Sequence, residues 1–105
     1  MVVKKKLVRQ QDLTGFGPWV RREREKLDIP LNVFAREIDI SPAYWSRIER
    51  GLENAPKDEL ILAACERLGL DTDQAFVEAQ RLPPDVRDDI STALRAYREF
   101  KNRPR

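Results

Sequence analysis

The chain has 105 residues, 41% hydrophobic and 36% charged, with one Cys, no His and a net charge of +2. That length fits one domain with short appendages. A lone Cys excludes an internal disulfide and, with no His, a structural zinc site. No apolar run nears the roughly 20 residues that span a bilayer, and the opening stretch is too short for a signal-peptide core, so no membrane contact and a cytoplasmic location are expected. Without His the commonest general acid–base is missing. No phosphate-cradling glycine loop, nucleophile elbow or metal-spaced carboxylate cluster is present. The sequence therefore predicts no enzyme, no cofactor and no metal.

The charge is unevenly placed. Residues 1–14 carry a net +3, residues 15–82 a net −3 and residues 83–105 a net +2. Two basic ends on a mildly acidic body suit local contact with a polyanion.

Residues 1–14 show no sustained period and carry Lys4, Lys5, Lys6 and Arg9. They predict a flexible basic arm, either directed at DNA or solubilising. A first helix starts near Gly17, since Pro18 is tolerated only in a first turn. Its stripe is Phe16, Val20 and Leu27, with Arg24 alongside. Arg21, Arg22, Arg24 and Lys26 alternate with Glu23 and Glu25, which reads as a solvated face. After Pro30 a short second helix carries Leu31, Phe34, Ala35 and Ile38. Ser41 is a suitable N-cap and Pro42 a suitable first residue for a third helix, with the stripe Trp45, Ile48 and Leu52, and Gly51 able to end it. Trp45 therefore reads as core rather than base-stacking, while Trp19 lies off the main stripe and is expected against the arm or the C-terminal helix.

The loop Glu53–Pro56 precedes a fourth helix with Leu60, Ile61, Ala64, Cys65 and Leu68 on one face, ended by Gly69. Cys65 on that stripe reads as a buried, inert thiol. Asp71 or Thr72 caps a fifth helix with Ala75, Phe76 and Ala79. Pro83-Pro84 then opens a sixth, running to about Phe100 with Val86, Ile90, Leu94, Tyr97 and Phe100 on its stripe. No segment alternates with period two, so the fold class is all-α. The organisation expected is an arm over 1–14, a helical domain over 15–82 and a C-terminal helix over 83–105.

Helix, tight turn and capped helix in "LNVFAREIDISPAYWSRIERG" follow the helix-turn-helix plan. Ala35 is small where the helices cross, and Ile40 would plug the core between them. With "IS" in the turn, "SRIERG" closing the third helix, Pro56 and "ERLGLD", the chain from Phe16 to Leu82 resembles the Cro/C1-type (XRE) helix-turn-helix family. The resemblance implies a five-helix, lambda-repressor-like domain that lays its third helix in the DNA major groove. By position it implies base reading by Pro42, Ala43, Ser46 and Arg47, of which Arg47 can grip guanine O6 and N7 together. It implies backbone contacts by Asn32, Arg36, Tyr44, Arg50 and Lys57, and a structural ion pair between Arg24 and Glu49. Three features depart from the family: Asp39 where Gly is frequent, Leu31 where a phosphate-binding Gln is frequent, and the pair Pro42 and Ala43, which offers only shape or a methyl contact.

The resemblance further implies a regulator, as a repressor binding a near-palindromic operator in double-stranded DNA as a homodimer. The stripe Val86, Ile90, Leu94, Tyr97 and Phe100 is the expected dimer element. The alternative is an antitoxin-type protein whose C-terminal helix binds a protein partner and which regulates its own operon. A scaffold that no longer binds DNA is a third reading, suggested by Leu31 and the acidic body.

Overall fold

The computed structural model describes residues 15–103, and the arm expected over 1–14 lies outside them. The described residues form seven helices and no strand: α1 Phe16–Lys26, α2 Leu31–Glu37, α3 Pro42–Glu49, α4 Asp58–Leu68, α5 Thr72–Glu78, α6 Pro84–Arg87 and α7 Ile90–Lys101. α1 packs on α3 and α5, α2 on α3, and α4 on α5.

Local chemistry sets these boundaries. Ser41 accepts from the Tyr44 amide at 3.1 Å, with Pro42 as first helical residue. Asp71, not Thr72, caps α5 by accepting from the Gln74 amide at 3.0 Å. The first five helices each end on a left-handed residue: Asp28 (φ 56), Asp39 (φ 60), Gly51 (φ 77), Gly69 (φ 68) and Gln80 (φ 59). At Asp39 the Asp39 amide donates to Arg36 and the Ile40 amide to Ala35, at 3.0 and 2.9 Å. These bonds satisfy the last carbonyls of α2 and form a Schellman close. Asp is one of the few non-glycine residues that enters this region at modest cost, so the turn between α2 and α3 survives without Gly.

The core is Phe16 and Val20 of α1, Phe34 and Ala35 of α2, Trp45 and Ile48 of α3, Ile61, Ala64, Cys65 and Leu68 of α4, and Ala75 and Phe76 of α5. Ile38, Ile40, Leu60 and Ala79 are half-buried against it. The Trp45 ring lies 5.2 Å from Phe34 and meets Phe16 edge-on at 6.5 Å. Trp45 is thus core, inaccessible to a base. Trp19 packs on the same cluster, 6.1 Å from the Phe16 ring, rather than on the C-terminal helix. Burial, reinforced by the negative charge of Asp71, pushes the Cys65 thiol up and keeps it protonated. Gly17 is where α1 meets α3: a Cβ built there would stand 1.9 Å from the Ile48 carbonyl oxygen.

Two stripe residues are corrected by the structure. Leu27 is the C-cap of α1 and Leu52 follows the end of α3, and both are more than half exposed. Each helix stops before its period would return the side chain to the core. The single C-terminal helix expected from Pro84 to Phe100 is also two. Asp89 takes φ −128 and ψ 58, outside the helical region, and Asp disfavours helix interiors by competing for backbone groups.

The segment before this break is held by charge. Arg87 donates to Asp58 at 2.8 Å and to the Leu82 carbonyl at 2.6 Å. Arg81 donates to Asp58 at 3.1 Å and to the carbonyls of Pro56 and Ala55 at 2.7 and 3.0 Å. Asp58 is the first residue of α4, where a carboxylate also suits the helix dipole. The Arg87 hydrogen bond holds the Asp58 carboxyl below the usual carboxylate range; desolvation opposes it and Arg81 assists.

Gly17→Ala should lower stability by about 1–3 kcal/mol or more, because the obstruction is backbone and α1 must lift from α3; a thermal melt measures this. The Asp58 pKa is lower folded than unfolded, so its stabilisation is present above the ordinary carboxylate range. It is lost as pH falls through the lowered value. Protection of the amides of α6, taken as exchange relative to the intrinsic rate at each pH, should therefore fall in acid, and Arg87→Ala should flatten that pH dependence.

Candidate nucleic-acid interface

α2, its turn and α3 form a helix-turn-helix whose second helix is eight residues long, about 12 Å. Trp45, Ile48 and Glu49 point inward and are buried, while Ala43, Tyr44 and Arg47, with Arg50 just beyond the helix, are exposed. Pro42 and Ser46 are half-buried at the edge of that face. The four residues expected to read bases therefore lie along one side of α3, with Arg47 as the only long donor among them. Arg47 Nε donates to Glu53 Oε2 at 2.9 Å, and Arg50 Nε donates to Ser46 Oγ at 3.3 Å.

The residues expected against the DNA backbone are more dispersed. Asn32 and Arg36 are exposed on α2, and Lys57 is exposed as the N-cap of α4. Leu31 opens α2 half-buried against the core. Its side chain serves packing.

What aims α3 is a buried polar cluster. Arg24 of α1 donates from Nε and Nη2 to the two carboxylate oxygens of Glu49, both at 2.8 Å. Its Nη1 donates to the Ile29 carbonyl at 2.6 Å, tying in the chain between α1 and α2. Trp45 Nε1 donates to Glu49 Oε2 at 2.6 Å. The side chains of Arg24 and Glu49 are only 7% and 2% exposed, so the pair survives burial because its polar atoms are satisfied. No buried side-chain nitrogen or oxygen among the described residues lacks a partner. The Glu49 hydrogen bond raises the Arg24 pKa above its already high ordinary value, against the lowering effect of burial. Sequence reasoning missed the Trp45 bond; its signal was a Trp and a Glu four residues apart on one helix.

The C-terminal stripe has a different geometry from the one expected. Val86 sits half-buried on α6, separated from the others by the break at Asp89. Ile90, Leu94, Tyr97 and Phe100 share α7, and they are 54%, 47%, 57% and 68% exposed. No residue of α7 is buried. Among the described residues no group of three or more His, Cys, Asp or Glu could hold a metal ion, and no helix is long and apolar enough to cross a membrane.

Removal of Glu49 strands both a buried guanidinium and the Trp45 N–H, so Glu49→Ala should cost about 3–5 kcal/mol. Glu49→Gln, which keeps an acceptor for Trp45, should cost less. In a double-mutant cycle with Arg24→Ala the losses should be less than additive, read by denaturant unfolding.

A search of curated proteins gives no match. Solved structures do: two crystal structures of the clp gene regulator ClgR from Corynebacterium glutamicum are similar to this chain. One is 29% identical, with a TM-score of 0.54, covering 62% of this chain and 83% of its own. The other is 23% identical, with a TM-score of 0.55 over 86% of this chain and 92% of its own, and shows the shared fold alone. Both likenesses agree with the helical fold described above. The profile of the helix-turn-helix domain family matches residues 16–76, more than half the sequence, and the chain belongs to that family.

Proposed function

We propose that the protein is a non-enzymatic, sequence-specific transcriptional regulator of the Cro/C1 type, a repressor that binds a near-palindromic operator as a two-fold dimer. The observation that carries this reading is α3. Its inner side is fixed by Trp45, Ile48 and Glu49, and its outer side presents Ala43, Ser46 and Arg47. A rigid helix with one exposed guanidinium in its last turn suits bidentate recognition of guanine in the major groove. Arg36, Tyr44, Arg50, Asn32 and Lys57 would hold the phosphates on either side.

In this reading residues 15–82 are the DNA-binding unit and 83–105 the dimerisation element. Support for the second assignment is the exposed stripe of α7, whose aromatic residues Tyr97 and Phe100 are of the kind that anchor interfaces. Two copies joined there would place their recognition helices on half-sites about 34 Å apart. The same stripe also fits an antitoxin-type role, with a different protein as its occupant.

Selection of bound DNA from a random pool at physiological salt tests the reading. The intact chain should return a two-fold site. Arg47→Ala should cost about 1–3 kcal/mol on it and relax one base position per half-site. Arg50→Ala should weaken all sequences alike and flatten the salt dependence. Leu94→Asp with Phe100→Asp should give a monomer by sedimentation and lose the two-fold motif. A wild-type chain that sediments as a monomer would overturn the dimer and leave α7 to another protein.

A further inference from the structure

Arg47 does not stand alone on the exposed face of α3. Its Nε donates to Oε2 of Glu53 at 2.9 Å, while its two Nη groups make no hydrogen bond among the described residues. The backbone makes this pairing local and well aimed. Gly51, at φ 77, reverses the chain after α3. The Leu52 amide then donates to the Arg47 carbonyl at 2.9 Å. The backbone next to Glu53 is thus tied to the residue its side chain engages.

A guanidinium offers paired donors along two edges, one containing Nε and one made of the two Nη groups. With Nε held by Glu53, the end-on edge is left for a ligand. Two parallel N–H donors on that edge match O6 and N7 of guanine. We propose that Glu53 is the positioning residue that makes Arg47 a guanine reader, holding the guanidinium so that its Nη edge faces the base. The proposal rests on the reading of α3 as the recognition helix and adds the residue that sets its specificity.

Charge supports the assignment. A carboxylate beside a DNA-facing helix repels phosphates, so it weakens binding to every sequence. Glu53 neutralises Arg47 as a loose phosphate contact and costs non-specific affinity, while lowering the entropy of ordering Arg47 on the correct base. Both effects widen the gap between right and wrong sites. In the free protein the two side chains are 49% and 37% exposed, so the pair does little for stability. Water exclusion in a closed interface strengthens the same bond.

The experiment uses the full chain as wild type, Glu53→Ala, Glu53→Gln and Arg47→Ala. Each is titrated against the selected operator and against versions with the Arg47-dependent guanine replaced. Glu53→Ala should melt with the wild type, bind random DNA at least as well, and lose about 5–10-fold of the preference for guanine at that position, a part of what a whole bidentate contact confers. Glu53→Gln, which keeps an acceptor for Nε, should retain more of the preference. Arg47→Ala should abolish it. If Arg47→Ala leaves the motif unchanged, the reading of α3 fails first. If Arg47→Ala relaxes the position but Glu53→Ala keeps the full preference, Glu53 only repels phosphate and the positioning role is overturned.

Discussion

The Arg24–Glu49 pair fixes where α3 sits, and the orientation of every candidate DNA contact on that helix follows from it. A salt bridge this deeply buried is poor evidence of stability, since apolar residues of similar volume often do as well. Its advantage is direction. Two parallel bonds at 2.8 Å allow one relative placement of α1 and α3, the bond to the Ile29 carbonyl adds the entry to α2, and the Trp45 N–H locks the bulkiest core ring to the same carboxylate. Gly17 supplies the complementary condition. The polar cluster sets the angle between the helices, and the missing side chain at Gly17 lets them close.

Much of this was legible in the sequence where one residue type has one local solution. Ser41-Pro42, Gly51, Gly69 and the stripe of α4 marked boundaries and faces because caps, left-handed glycines and a 3.6-residue period act locally. Asp28 and Gln80 also end helices with positive φ; Asp tolerates that conformation, but Gln gives no sign of it. Leu27 and Leu52 fit an extrapolated period and nevertheless lie outside, because a period says nothing about where the helix stops. The Asp58 clamp joins residues more than twenty positions apart through exposed charges, which no local pattern encodes. The arginine on α3 stood out from its position alone; the acid that engages it lies in a loop whose path only the fold reveals.

The candidate interface is basic but restrained. Arg47 is engaged by Glu53, Arg50 by Ser46, and Arg21 on the neighbouring helix by Glu25. The segment over 15–82 is net negative, so little bulk attraction to DNA can come from this segment itself. A protein with weak general attraction depends on correct base contacts and on linking two modest ones. That dependence fits the proposed role of α3, a helix with few hydrogen-bonding readers, on which Pro42 and Ala43 would offer only shape and apolar contact.

The C-terminal helices continue the same argument. α6 is held to the start of α4 by Asp58, a contact of charge that leaves apolar surface free. α7 then leaves at the Asp89 break with its stripe exposed. Had the chain run as one helix from Pro84, Val86 would share a face with Ile90 and Leu94, and the clamp on Arg87 would orient the whole stripe. The break separates two tasks in the proposed dimer: α6 registers the extension on the body, and α7 would carry the surface for the second copy. In the proposed dimer the spacing of the recognition helices is therefore set jointly by the elbow at Asp88-Asp89 and by the pair of arginines on Asp58. Neither feature touches DNA, and both would bear on which half-site spacing the protein accepts.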